Sequence, residues 1–145
     1  MKLADMMTKN VQCCHPDDPI SRAAQIMSDV NCGAVPIVDD NNKVVGILTD
    51  RDIVLRVVAK GMDTDDCRCS DCMTSNVTTC TPDTDAHKCA DLMADKQIRR
   101  IPVVDRDGRL AGIVALGDMA TVNIHVNEAG DALSQISEPA QPGAH

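Results

Sequence analysis

Apolar and polar positions along this chain change period in a fixed order, and the chain runs through that order twice. Residues 11–14 are a short β-type segment, closed by His15-Pro16-Asp17-Asp18-Pro19. There Asp18 is placed to cap a helix and Pro19 suits a first helical turn. Ile20, Ala23, Ala24 and Met27 follow at i, i+3, i+4 and i+7, the stripe of an amphipathic helix. The brief apolar runs 34–38 and 44–48 flank Asp39-Asp40-Asn41-Asn42 and predict a hairpin. A second helix starts after Thr49 and ends near Gly61, a suitable C-cap. The predicted order is strand, helix, strand, strand, helix.

The second pass repeats it. Residues 77–80 are the strand, Ala86, Cys89, Ala90 and Met93 the helix stripe, and 101–104 with 110–114 the hairpin, turning at Asp107-Gly108. Residues 118–122 begin the last helix of the copy. Sliding the chain by 66 positions lays residues 7–54 on 73–120 without a gap, and 16 of the 48 aligned positions are identical. The identities include Pro36 with Pro102, Gly46-Ile47 with Gly112-Ile113, and Asp52 with Asp118. A repeat of this length is one supersecondary unit duplicated, and two such units are expected to bury their apolar faces together with a cleft between them. The sequence therefore divides into a first unit with a short N-terminal helix at 1–62, a linker at 63–71, a second unit at 72–124, and a tail at 125–145. In that tail Ala129, Ala132, Leu133 and Ile136 suggest one weak helix before a disordered end.

Composition narrows the function classes. Against 14 Lys and Arg stand 22 Asp and Glu, a formal charge of -8. Nucleic acid needs a basic footprint and anionic lipid surfaces attract basic segments, so neither is an expected partner. No apolar run is long enough to cross a bilayer, and the opening residues have neither the charged head nor the apolar stretch of a signal peptide, so a cytoplasmic location is expected. The chain has no Phe, Tyr or Trp. Its core must be filled by aliphatic residues, Cys and Met, and a flat ring bound here would lie between aliphatic side chains.

Val35-Pro36-Ile37-Val38-Asp39 followed by Gly46-Ile47-Leu48-Thr49-Asp50-Arg51-Asp52, and Arg99-Arg100-Ile101-Pro102-Val103-Val104-Asp105 followed by Gly112-Ile113-Val114, resemble two cystathionine-β-synthase (CBS) domains. Over roughly residues 3–122 the chain is similar to the paired arrangement called a Bateman module, and to stand-alone two-CBS proteins. The resemblance implies an α/β fold of two units related by a pseudo-two-fold axis. It also implies a non-enzymatic sensor that binds an adenosine-containing ligand (AMP, ADP, ATP, S-adenosylmethionine or NAD(H)) in the cleft between the units and signals to an unknown protein target. A flat homodimer joined through helices is implied too, with Ile53, Val54, Val57 and Val58 as the apolar face to be covered.

In that family's motif the Thr contacts phosphate and the Asp holds the ribose hydroxyls, roles that fall here on Thr49 and Asp52. A carboxylate accepts two vicinal hydroxyls well, and a hydroxyl at a helix N-terminus lies where backbone N–H groups favour anions. The plainer reading of the same spacing is a capping box that merely starts a helix. In the second copy Ala115 replaces the Thr, so Asp118 keeps the ribose role without the phosphate hydroxyl. Arg99 and Arg100 stand where the first copy has Gly33 and Ala34, and the resemblance implies that they reach across to the ligand held by Thr49 and Asp52. The plainer reading of two adjacent Arg is a solvated strand edge. The nucleotide site so implied comprises Thr49, Asp52, Ala34, Pro36, Arg99, Arg100, Pro102 and Asp118, with the two halves unequal.

Eight cysteines are not explained by the resemblance: Cys13, Cys14, Cys32, Cys67, Cys69, Cys72, Cys80 and Cys89. As small apolar fillers they suit a reducing compartment. The alternative is a zinc or redox sensor on the same fold, with Cys67, Cys69 and Cys72 as thiolate ligands and His15 or His87 as a fourth. A purely structural dimerisation module is a third reading. No nucleophile with an obvious base, no phosphate loop and no paired metal motif stands out, so no cofactor is required and no catalytic residue is assigned.

Overall fold

The computed structural model describes residues 1–120 of the 145, and the expected tail helix and the end of the last helix lie outside the described residues. The chain forms two compact units. The first-copy unit holds Asn10–Thr78 and Arg106–Leu110; the second-copy unit holds Met1–Lys9, Thr79–Asp105 and, among the described residues, 111–120.

In the first-copy unit α1 (Ile20–Val30) precedes a hairpin of β1 (Ala34–Val38) and β2 (Val44–Thr49), and α2 (Asp50–Ile53) follows at once. The α1 stripe buries Ile20, Ala23 and Ile26. Asn31 ends the helix in the left-handed region (φ 53), a conformation that a short polar side chain tolerates. Asp18 does not cap α1: its carboxylate accepts the His15 N–H at 2.8 Å and so holds the preceding turn, while Pro19 stands at the cap position. β1 is buried at every position. At the hairpin turn the Asp39 carboxylate accepts the N–H groups of Asn41 (2.9 Å) and Lys43 (3.0 Å), and Asn42 takes φ 64. The strand expected at 11–14 shrinks to one parallel bridge, Cys14 to Ile37, because only Cys14 exchanges backbone hydrogen bonds with β1. Beyond α2 the coil widens into a π-helical stretch, Val54–Val58, with the Ala59 N–H on the Val54 carbonyl at 2.8 Å. The expected linker contains a further turn of helix, α3 (Cys69–Cys72).

The second-copy unit repeats the plan with α4 (Ala86–Lys96), β3 (Arg100–Val104), β4 (Leu110–Ala115) and α5 (Leu116–Ala120). Asp85 caps α4 by accepting the His87 N–H at 2.9 Å, and Gln97 (φ 54) ends it as Asn31 ends α1. Cys80 makes the parallel bridge, to Val103.

The packing departs from the expected boundaries in several places: residues 1–9 lie in the second-copy unit, and residues 72–78 and 106–110 in the first-copy unit. The 3-10 turn Leu3–Asp5, expected with the first copy, packs in the second-copy unit: Leu3 is fully buried there and its N–H meets the Thr84 carbonyl at 3.0 Å. Thr8 bridges Ile113 beside β4, and Thr74, its repeat equivalent, bridges Ile47 beside β2. Each copy's leading segment thus completes the sheet of the other copy. Two glycines make this close approach possible. A Cβ on Gly46 would collide with the Met73 sulfur and come within 3.2 Å of the Thr74 carbonyl, and one on Gly112 would meet the Thr8 carbonyl at 2.8 Å. No helix among the described residues is long and apolar enough to cross a membrane.

Candidate functional site

The carboxyl end of each hairpin's second strand runs directly into a helix, and the residues singled out in the sequence collect there. In the first-copy unit Thr49 is the last residue of β2, pairs in register with Ala34, and is the N-cap of α2. Its extended backbone leaves the first helical N–H groups without intrahelical partners. The Asp50 N–H is taken by the Gly33 carbonyl at 2.9 Å, and the Asp52 N–H by the Thr49 hydroxyl at 3.1 Å. In return the Asp52 carboxylate accepts the Thr49 N–H at 3.0 Å. The capping box is therefore complete. It does not exhaust Asp52: an ionised carboxylate offers about four lone-pair sites, and the box occupies one of them. The other oxygen lies 3.9 Å from the Arg56 Nε in a side chain only 14% exposed.

Arg56 is a member of this cluster that sequence reasoning missed. Its guanidinium donates to the Cys72 carbonyl at 2.9 Å and to the Met73 carbonyl at 3.2 Å, tying the helix after the cap to the end of α3. The signal was present as Asp52 and Arg56 at i, i+4, an ion-pair spacing that becomes visible only once the helix is known to continue through 56. Pro36, in the centre of β1, is buried opposite Ile47.

The second-copy unit builds the same corner with one part missing. Asp118 accepts the Ala115 N–H at 2.9 Å, as Asp52 does from Thr49, but Ala115 has no hydroxyl with which to complete the box. The Arg99 carbonyl accepts the Leu116 N–H at 2.8 Å, the counterpart of Gly33 with Asp50. Arg99 and Arg100 therefore stand beside the Asp118 segment within their own unit, with Arg99 exposed and Arg100 partly covered on β3. Pro102 is buried in β3. Thr49, Asp52 and Ala34 are brought together in one unit, and Arg99, Arg100 and Asp118 in the other.

Among the described residues no three His, Cys, Asp or Glu side chains gather in a way that could hold a metal ion. The alternative zinc set, Cys67, Cys69 and Cys72, is buried as free thiols. The Cys69 thiol donates to the Pro19 carbonyl at 3.9 Å; Cys69 draws the Cys14 thiol down, and Cys14 first, then burial, push the Cys69 thiol up. The Cys67 thiol donates to the Met62 sulfur at 3.9 Å, and burial first, then Cys67, push the Cys72 thiol up.

The CBS domain model matches residues 3–59 and 69–124. The CBS domain-containing protein YhcV of Bacillus subtilis (strain 168) is 41% identical over 133 residues, which cover 92% of this chain and 93% of that protein. Among solved structures, the CBS domain pair of protein MJ0100 in complex with 5′-methylthioadenosine and S-adenosyl-L-methionine superposes with a TM-score of 0.77 at 31% identity, covering 87% of this chain and 98% of that one. Hypoxic Response Protein I with two coordinated zinc ions does so with a TM-score of 0.77 at 30% identity, covering 83% and 98%. With both copies matched and the duplicated strand-to-helix corner in common, the chain belongs to the CBS domain family and carries two CBS domains in tandem.

Proposed function

We propose that this protein is a non-enzymatic regulatory module that binds an adenosine-containing ligand and changes its association with a protein partner accordingly. The observation that carries the proposal is the corner at Thr49 and Asp52. A largely buried carboxylate with unused acceptor capacity stands beside a hydroxyl at a helix start, with a cation, Arg56, close by. Two vicinal ribose hydroxyls are donors that such a carboxylate takes as a pair, and a phosphate or other anionic oxygen suits the hydroxyl and the N-terminal N–H groups beside it. The MJ0100 pair, at 31% identity, is described with two adenosine-type molecules, which supports this ligand class.

In this reading Asp52 anchors ribose, Thr49 the anionic group, and Arg99 and Arg100 supply positive charge for phosphate-bearing ligands, with Ala34, Pro36 and Pro102 as aliphatic walls. Asp118 provides a second, weaker ribose anchor, because Ala115 leaves it without a hydroxyl. The capping box is compatible with this role. A helix start held rigid before ligand arrives loses less freedom on binding.

A thermal-shift screen across AMP, ADP, ATP, S-adenosylmethionine, NADH and Zn²⁺ tests the proposal, since a ligand that binds only the folded state raises its melting temperature by mass action. A saturable rise with at least one adenosine compound is expected. A rise with Zn²⁺ and none of the others would overturn it.

A further inference from the structure

The two oxygens of the Asp52 carboxylate are held differently. Oδ2 accepts the Thr49 N–H at 3.0 Å, while Oδ1 faces the Arg56 Nε at 3.9 Å. That second separation is an ion pair but lies beyond hydrogen-bond reach, so the cation offsets the charge without occupying the lone pairs of Oδ1. Arg56 is itself tied down. Its Nη1 donates to the Cys72 carbonyl at 2.9 Å and to the Met73 carbonyl at 3.2 Å, the last residue of α3 and its C-cap. From Met73 the chain enters Thr74, which exchanges backbone hydrogen bonds of 2.9 and 3.0 Å with Ile47, and Ile47 lies on β2 two residues before Thr49. Cap, strand, bridge, carbonyls and guanidinium thus form a closed ring around Asp52 inside the first-copy unit. Arg56 is the member that closes it.

An ion pair of this length with a half-exposed partner adds little to stability, and an Arg in such a place ordinarily follows the solvent. Here it does not. A guanidinium carries its donors in a rigid fork, so fixing Nη1 on two carbonyls also fixes where Nε stands against Oδ1. We propose, resting on the reading of Asp52 as the ribose anchor, that Arg56 is its positioning residue: it holds the carboxylate turned with Oδ1 open to a sugar hydroxyl, and so sets a preference for ribose over 2′-deoxyribose. The second copy has no such residue. The repeat offset of 66 places uncharged Val122 where Arg56 stands, so the sequence around Asp118 has no Arg at that position as well as no Thr at 115.

Two simpler roles for Arg56 lead to different results. As a tie between the helix and α3 alone, it would support the fold and leave the sugar preference untouched. As a direct phosphate contact, it would favour AMP over adenosine whichever sugar is present. Only positioning through Asp52 couples Arg56 to the 2′-hydroxyl, in ligands with and without phosphate alike.

The test is titration calorimetry of the full chain with adenosine, 2′-deoxyadenosine, AMP and 2′-deoxy-AMP. In the unaltered chain, loss of the 2′-hydroxyl is expected to weaken binding roughly ten- to hundred-fold, the usual effect of losing one charge-assisted hydrogen bond. In Arg56→Ala that ratio should collapse toward unity in both pairs. Should Arg56→Ala not fold, Arg56→Gln, which keeps an amide donor for the carbonyls and has no charge, is read in the same way. An unchanged ratio in either folded variant overturns the proposal; if Asp52→Ala abolishes the ratio in the same experiment, the ribose reading stands and only the role of Arg56 falls. A ratio of one in the unaltered chain, or no binding of any of the four compounds, overturns the ribose reading and this inference with it. The unaltered chain supplies a further readout: its Arg56 Nε–H resonance should move with adenosine far more than with 2′-deoxyadenosine, and equal shifts at saturation would contradict the proposal.

Discussion

At the scale of single residues, the difference between the two corners comes down to one hydroxyl. Thr49 satisfies the Asp52 N–H, and its counterpart Ala115 cannot do the same for Asp118. Losing an N-cap hydroxyl costs about 1 kcal/mol, so Thr49→Ala should lower the melting temperature by a few degrees in calorimetry. Ala115→Thr should supply the missing acceptor and raise it by a comparable amount. If Ala115→Thr instead lowers the melting temperature, the two corners are not built alike. The spacing Thr49-x-x-Asp52 was legible in the sequence, and so was the absence of its partner at 115. The part played by Arg56 was not, because its carbonyl partners at Cys72 and Met73 lie 16 and 17 residues away. The setting of the linker cysteines was hidden for a similar reason: the Cys69 thiol meets the Pro19 carbonyl, 50 positions away in sequence, and no spacing within 67–72 shows that.

At the scale of elements, both hairpins and the first helix of each copy fall where the apolar runs and the i, i+3, i+4 stripe put them: β1 and β3 are apolar runs buried along nearly their whole length, and α1 and α4 each bury one face. The segments at 11–14 and 77–80 do not become strands, because each offers only one residue to the adjacent strand, and propensity without a ladder does not extend. Nor could local pattern show that the leading segments complete the sheet of the opposite copy, an arrangement held by Thr8 with Ile113 and Thr74 with Ile47. The identity of Gly46 and Gly112 in the repeat was its one visible trace. Gly46→Ala should force Met73 aside and crowd the Thr74 carbonyl, costing about 1–3 kcal/mol as an overpacked site does. Gly117→Ala, in α5 with nothing within 4 Å of the added carbon, should stabilise by about 0.4–1 kcal/mol. Denaturant titration of the two variants checks both, and equal effects would remove the argument that Gly46 is there for the close approach.

At the scale of the whole molecule, Val54, Leu55 and Val58 leave 54%, 45% and 63% of their surfaces in solvent along the helix that follows the cap, with Met62 just beyond. The apolar face expected there is partly corrected: Val57 turns inward and is fully buried, Ile53 is half-buried, and Leu55 takes their place outside. Exposed aliphatic residues clustered on one helix mark an association surface more often than a solvated one, and a second copy of the chain is the proposed occupant. Light scattering should report a dimer that Val58→Asp weakens or dissolves, while a 15.5 kDa species at micromolar concentration would contradict it. The central claim is that this protein senses an adenosine-type ligand chiefly through Asp52. Removing a charge-assisted hydrogen bond typically costs about 1.5–3 kcal/mol, roughly a ten- to hundred-fold loss of affinity. Titration calorimetry of whichever adenosine compound stabilises the unaltered chain, repeated on Asp52→Ala and Asp118→Ala, is the most direct test. The account predicts that Asp52→Ala abolishes the tighter binding event and that Asp118→Ala matters less; no loss from Asp52→Ala would leave Thr49 and Asp52 as a helix cap alone and contradict it.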